Sequence, residues 1–151
     1  MPRYLEDLPV GTTDSYGGMV VDRDEVIAFA RAYDPQPFHL DDAAAAANPV
    51  FGRLSASGWH TAAMTMRMSA ARWAEQGIQG RGAAGLDELS WLRPVYPGDT
   101  LRVETEVIGA RPSVSRPELG LLKIRSIVFN QHDQPVMREI TNVMIQRRPP
   151  A

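Results

Sequence analysis

Cysteine is absent from the chain. That excludes a disulfide scaffold, a thiolate nucleophile and any cysteine-ligated zinc or iron–sulfur centre. Excess charge is also lacking, since 16 basic residues nearly balance 18 acidic ones and leave a net charge of -2. The basic residues are spread along the chain, so there is no footprint for gripping nucleic acid and no cluster for an anionic membrane surface. No apolar run is long enough to suggest a membrane span. Histidine is scarce, and His39, His60 and His132 are too far apart in sequence for their spacing to mark a metal cluster. Neither a P-loop nor a dinucleotide fingerprint is found. The opening MPRYLEDLPVG lacks the basic and apolar regions of a secretory signal, and the expected location is cytoplasmic.

What is present is an ordinary globular composition, 44% hydrophobic and 23% charged over 151 residues. This is enough chain for one domain with a real core. No repeat or linker divides it, so a single domain over 1–151 is expected. The pattern predicts a strand over roughly 12–21. A helix follows, capped by Asp22 with Glu25 three residues on and carrying Val26, Ile27, Phe29, Ala30 and Tyr33 at helical spacing. Asp34 and Gln36 each precede a proline, which disfavours helical angles, so this helix ends near Tyr33. A short helix is expected from Asp41 to Pro49. The longest runs from about Ser57 to Gln76, with Trp59, Ala62, Ala63, Met66, Ala70 and Trp73 on one broad face expected to be covered. Gly77 and Gly80 end it.

The rest reads as sheet. GLDELSWLRPV leads into the turn PGD, and TLRVETEVIG alternates apolar and charged residues with the period of a half-buried strand. GARPSVSRPELG is expected as a long loop, LLKIRSIVFN and VMREITNVMIQ as a hairpin through QHDQP, and RRPPA as a frayed tail. The sum is an α+β arrangement, one long helix wrapped by an antiparallel sheet.

Two places carry chemistry. Asp34 and His39 lie five residues apart, with Pro35 and Pro37 restricting the link. A carboxylate and an imidazole held together can bind water, take its proton and pass one on. The plain alternative is that Asp34 caps a helix end while His39 only packs. In FGRLSASGWHT, Ser57 and Gly58 open the long helix. Free N–H groups there carry partial positive charge and can stabilise an oxyanion, or the two residues simply start the helix. His60 reads as a partly buried helix residue and His132 as a surface turn residue. The tryptophans read as core or interface, and Arg111, Arg116 and Arg125 as either a phosphate-binding set or a solvated face.

The stretches AYDPQPFHLD, FGRLSASGWHT, LRPVYPGDTL and the SRPELG loop before LLKIRSIVFN, in that order, resemble the MaoC-like dehydratases, which include the (R)-specific enoyl-CoA hydratases. The resemblance implies a hot-dog fold and a homodimer or higher homo-oligomer binding an acyl-CoA substrate. It implies Asp34 and His39 as the catalytic dyad and the Gly58 N–H, with Ser57 beside it, as the oxyanion donor. The implied reaction interconverts trans-2-enoyl-CoA and (R)-3-hydroxyacyl-CoA and uses no cofactor or metal. The family pattern has asparagine before the second proline of the first motif, where this chain has Gln36. Two alternatives stand beside this reading: a hot-dog thioesterase, and a non-catalytic subunit or acyl-binding module. A thioesterase would place an acid on the long helix, where only Glu75 is found. A structural subunit would need neither Asp34 nor His39.

Overall fold

The computed structural model describes residues 1–151. Strand β1 (Thr13–Val20) is followed by helices α1 (Arg23–Tyr33), α2 (Asp42–Ala46) and α3 (Gly58–Gln76), then by β2 (Gly80–Trp91), β3 (Thr100–Pro112), β4 (Leu119–Phe129) and β5 (Pro135–Gln146). The strands form one antiparallel sheet in the order β1-β3-β4-β5-β2. With α3 packed along one face, this is the hot-dog fold.

Local chemistry explains most boundaries. Asp22 accepts a hydrogen bond from the Glu25 N–H and caps α1, and Asp41 does the same for α2 through the Ala44 N–H. Helix α2 stops at Ala46, three residues before Pro49. Helix α3 ends on Gly77 in the left-handed region (φ 68°), a conformation glycine adopts without a Cβ penalty. Gly80 does not help to end the helix: it begins β2.

Three expectations are corrected. The stripe Trp59–Met66 is not the covered face of α3. Buried instead are His60, Thr61, Met64, Thr65 and Met68, while Trp59 and Met66 stand more than half exposed. Polar groups therefore line part of the covered side, and the most apolar side faces outward. The expected long loop shrinks to residues 113–118, because β3 and β4 keep pairing as far as Pro112 and Gly120. The tail is held down rather than frayed at its start. Arg147 pairs with Glu6 and Arg148 with Asp7, and the Arg148 guanidinium lies over the Tyr4 ring.

The core has two parts. Val26, Met64, Met68, Val103, Val128 and Met137 belong to a larger cluster beneath the first half of α3. Leu5, Leu8, Val107, Leu122, Ile124 and Ile145 form a smaller one near its far end. The N-terminal segment closes the second cluster through Leu5 and Leu8, a contribution that no periodic pattern announced.

Leu122 is 1% exposed at the centre of that second cluster. Leu122→Ala removes buried methyl groups and leaves a cavity, so unfolding in urea should show a loss of about 2–5 kcal/mol.

Candidate active site

Asp34 ends α1, its backbone already out of helical geometry (φ -149°, ψ 67°). Pro35 forces the departure. The chain then folds into a short 3-10 turn over Pro37–His39, closed by hydrogen bonds from the His39 and Leu40 N–H groups to the Gln36 and Pro37 carbonyls. This turn points His39 inward, where only 3% of its surface remains exposed. Phe38 meets the imidazole edge-on at 4.6 Å between centroids, and Phe51 lies 5.5 Å away.

The imidazole Nδ1 lies 2.7 Å from the Ser55 carbonyl oxygen. A carbonyl only accepts, so Nδ1 carries the hydrogen and the neutral ring presents an unprotonated Nε2. That Nε2 lies 3.4 Å from Asp34 Oδ2. The separation is too long for a good direct hydrogen bond, yet both atoms can stand about 2.8 Å from one shared water. The other carboxylate oxygen accepts from the Gln36 side-chain amide at 2.6 Å. Burial pushes the Asp34 carboxyl up, but the Ser57 hydroxyl, the Gln36 amide and the nearby His39 together hold it below the ordinary aspartate range.

Ser57 and Gly58 lie beside this pair. Ser57 is fully buried and caps α3, its oxygen accepting from the Trp59 N–H at 3.3 Å. Gly58 is the first residue of the helix, so its N–H has no intrahelical acceptor. A Cβ there would lie 2.4 Å from Cε2 of Trp91, so glycine is required by the tryptophan ring packed against it. The arrangement offers a proton-accepting pair next to a helix N-terminus.

Known proteins resemble this chain over most of its length. A family model described as the MaoC like domain matches residues 8–121. The chain belongs to the MaoC-like family. A MaoC-like dehydratase from Rhodospirillum rubrum shares 42% identity, with a TM-score of 0.83 over 98% of this chain and 99% of that one. An uncharacterised Bacillus subtilis protein, YdeM, is 29% identical across 95% of this chain and 99% of its own length. A mesaconyl-CoA hydratase from Cereibacter sphaeroides is 39% identical over 64 residues, 42% of this chain but only 18% of that protein.

In this MaoC-like chain all four candidate residues, Asp34, His39, Ser57 and Gly58, come together. The sequence reading missed two supporting groups. Ser55 fixes the imidazole through its main-chain carbonyl, for which residue identity leaves no signal. Gln36, noted only as a departure, orients the Asp34 carboxylate, and its position two residues from Asp34 was a usable clue. His60 is buried and stacks on Phe29 at 4.7 Å, and its Nδ1 has no partner. Burial holds its pKa below the ordinary histidine value. His132 lies in the exposed β4–β5 turn, away from the site. Arg116 and Arg125 pair with Glu118 and Glu106, as a solvated face would.

Asp34 thus gives a directional test. A carboxyl whose folded pKa is depressed stabilises the fold above its unfolded pKa, and the contribution is lost as pH falls through the folded value. The stability difference between wild type and Asp34→Asn should therefore be constant near neutrality and shrink under acid. Chemical denaturation of both proteins from neutral pH downward checks this.

Proposed function

We propose that this chain reversibly hydrates trans-2-enoyl-CoA thioesters to (R)-3-hydroxyacyl-CoA. The observation that carries the reading is that His39 Nε2 and Asp34 Oδ2 stand 3.4 Å apart, close enough for one water to bond to both, with His39 Nδ1 turned to the Ser55 carbonyl and the free N–H of Gly58 alongside. The local likeness to a protein named mesaconyl-CoA hydratase and the full-length likeness to a MaoC-like dehydratase support it.

Water bridging the two groups donates one hydrogen to Nε2 and the other to Oδ2, which leaves an oxygen lone pair free to attack. The new C–O bond forms at the β-carbon of the enoyl group. The broken O–H bond leaves its proton on the dyad, and the double-bond electrons move toward the thioester oxygen as an enolate. The Gly58 N–H, at the positive end of α3, stabilises that charge. When the enolate collapses, the α-carbon takes up the proton and the atoms of one water have been added. The ionised Asp34, held low in pKa by Ser57 and Gln36, stabilises the imidazolium meanwhile. A thioesterase would need an acid elsewhere: Glu75 sits near the far end of α3, exposed and paired with Arg72.

The acting unit in this reading is a homodimer. The sheet ends in β2, an edge strand largely open to solvent, and Trp59, Met66, Leu86 and Trp91 nearby are each more than two-fifths exposed. An apolar edge left bare invites pairing with another chain. Sedimentation at micromolar concentration should give the mass of two chains or more, and a strict monomer would count against this assembly.

The dyad is tested kinetically. Asp34→Asn is nearly isosteric but has no negative charge to hold the water and stabilise the imidazolium, and should lower hydration of crotonyl-CoA by about 10²–10⁴-fold. His39→Ala should act similarly, and the double variant should be little worse than either, because the groups serve one proton-handling unit. A folded Asp34→Asn protein with wild-type turnover would reduce Asp34 to a helix-end residue.

A further inference from the structure

His60 is a titratable side chain that the hydration chemistry leaves unused. It stands on the first turn of α3, two residues beyond Gly58, and is 7% exposed. Its ring is stacked on Phe29 of α1, with centroids 4.7 Å apart and 8° between the planes. Nδ1 is buried and has no hydrogen-bond partner. A phenylalanine or leucine would fill this place without an unmade bond, so the imidazole calls for an explanation.

Phe29 belongs to the helix that ends on Asp34. Within α1 only Val26 and Ala30 are fully buried, so the second half of the helix is anchored by Ala30 and by the Phe29–His60 stack. Tyr33 packs on Phe29 at 5.2 Å between centroids but is itself 76% exposed. Asp34 follows five residues after Phe29, and its N–H closes the last turn by donating to the Ala30 carbonyl at 2.9 Å. The stack therefore ties the carboxylate of the dyad to the helix whose first N–H is the proposed oxyanion donor.

This contact suits a neutral ring only. A protonated imidazole carries an N–H on both nitrogens, and at Nδ1 that donor would be buried with nothing to accept it. Burial accordingly holds the His60 pKa below the ordinary histidine value, and the charge of Glu25, one turn before Phe29 on α1, opposes this only in part. Neither Asp34 nor His39 acts on the ring, and the first charge along α3 is Arg67, two turns on. A ring freed into water takes a proton more readily than the stacked one, so acid favours release.

We infer that His60 is a positioning residue for the dyad: its uncharged ring, stacked on Phe29, holds the end of α1 against the first turn of α3, and its protonation frees that end and withdraws Asp34 from His39. The effect on turnover rests on the hydratase reading, whereas the stack and its release belong to the fold. His39 must also keep Nε2 free of a proton. Two imidazoles, one at the reacting water and one at the helix contact, therefore have to stay neutral together.

The test follows kcat and KM for crotonyl-CoA from neutral pH downward. His60→Ala removes the stack and should lower kcat by about tenfold or more at neutral pH, through misplacement of Asp34, with KM changed by less than about threefold. His60→Phe keeps the stack and should restore most of that loss. In wild type log kcat should fall on the acid side with a slope approaching two, one proton for the dyad and one for His60, and His60→Phe should bring it to about one. Hydrogen exchange of wild type, corrected for its intrinsic pH dependence, should show the amides from Ala30 to Asp34 losing protection in acid while those at the centre of α3 keep theirs. A folded His60→Ala protein with wild-type kcat, or an acid limb identical in wild type and His60→Phe, overturns the assignment. Where His60→Ala does not fold, the comparison with His60→Phe carries the kinetic test. If wild type leaves crotonyl-CoA untouched at every pH, the hydratase reading falls and exchange decides the rest, as it does if neither variant folds. Protection at the end of α1 that stays in step with α3 overturns the release.

Discussion

The hydrogen bond from His39 Nδ1 to the Ser55 carbonyl spans 16 residues and fixes the relation between two segments that have no regular structure in common. One is the proline-bounded turn after α1, the other the extended lead into α3. Without that bond the imidazole would be free to flip and to exchange tautomers, and Nε2 would no longer face Asp34. Because Ser55 precedes the α3 cap by two residues, the same bond sets the imidazole against the helix N-terminus. The tautomer, the position of the pair and its distance from Gly58 all follow from one contact made to backbone, buried from water. A buried contact of this kind is costly to leave half-made, which gives the turn a single arrangement.

Much of this was legible in the residues. Caps and prolines marked α1, α2 and the turn between them, because each acts within four residues of itself. The period-two pattern marked β3 to β5. The motif around Asp34 and His39 and the glycine at position 58 singled out the site, since side-chain chemistry and a resemblance both pointed there. What escaped depends on distant partners. The 3-10 turn holding Leu5 has value only because Gly120 leaves room for it: a Cβ there would stand 2.5 Å from the leucine. The pairing of Arg147 and Arg148 with Glu6 and Asp7 joins residues 141 apart. The buried face of α3 was misplaced because apolar residues were assumed to face the core. Here His60, Thr61 and Thr65 are covered along with Met64 and Met68. Thr65 satisfies its hydroxyl by donating to the Thr61 carbonyl one turn back, which lets a polar side chain enter the interior at little cost.

Division of the core into two clusters has its own logic. A sheet face filled with valine and leucine from end to end would weld α3 down along its whole length. Asp14, Thr105, Ser126 and Glu139, in register across β1, β3, β4 and β5, interrupt that packing, and a cavity of about 310 Å³ lies against them. The protein forgoes apolar burial there, about 25 cal/mol for each Å² not covered, and the remaining two clusters hold the helix at either end. Strand β2 shows the same restraint. Its register shifts at three points, between Gly80 and Gly82, Ala83 and Gly85, and Leu86 and Glu88. Bulges of this kind bend and twist a strand, and the small residues Gly80, Gly82 and Ala83 of this edge border the cavity.

The ion pairs at the tail also shape what can be done with the polymer itself. The Arg148 N–H donates to Glu6 at 2.9 Å, so the first and last structured segments lie side by side, far apart in order but adjacent in space. These two segments therefore nearly close a ring. A bridge between them requires few added residues and little loop-closure entropy, and a break could then be placed in an exposed connection such as the β4–β5 turn around His132 without displacing the dyad. Two copies could likewise be strung in series from the same edge. The order in which the strands are read is, for this architecture, a convention of synthesis more than a requirement of the folded state.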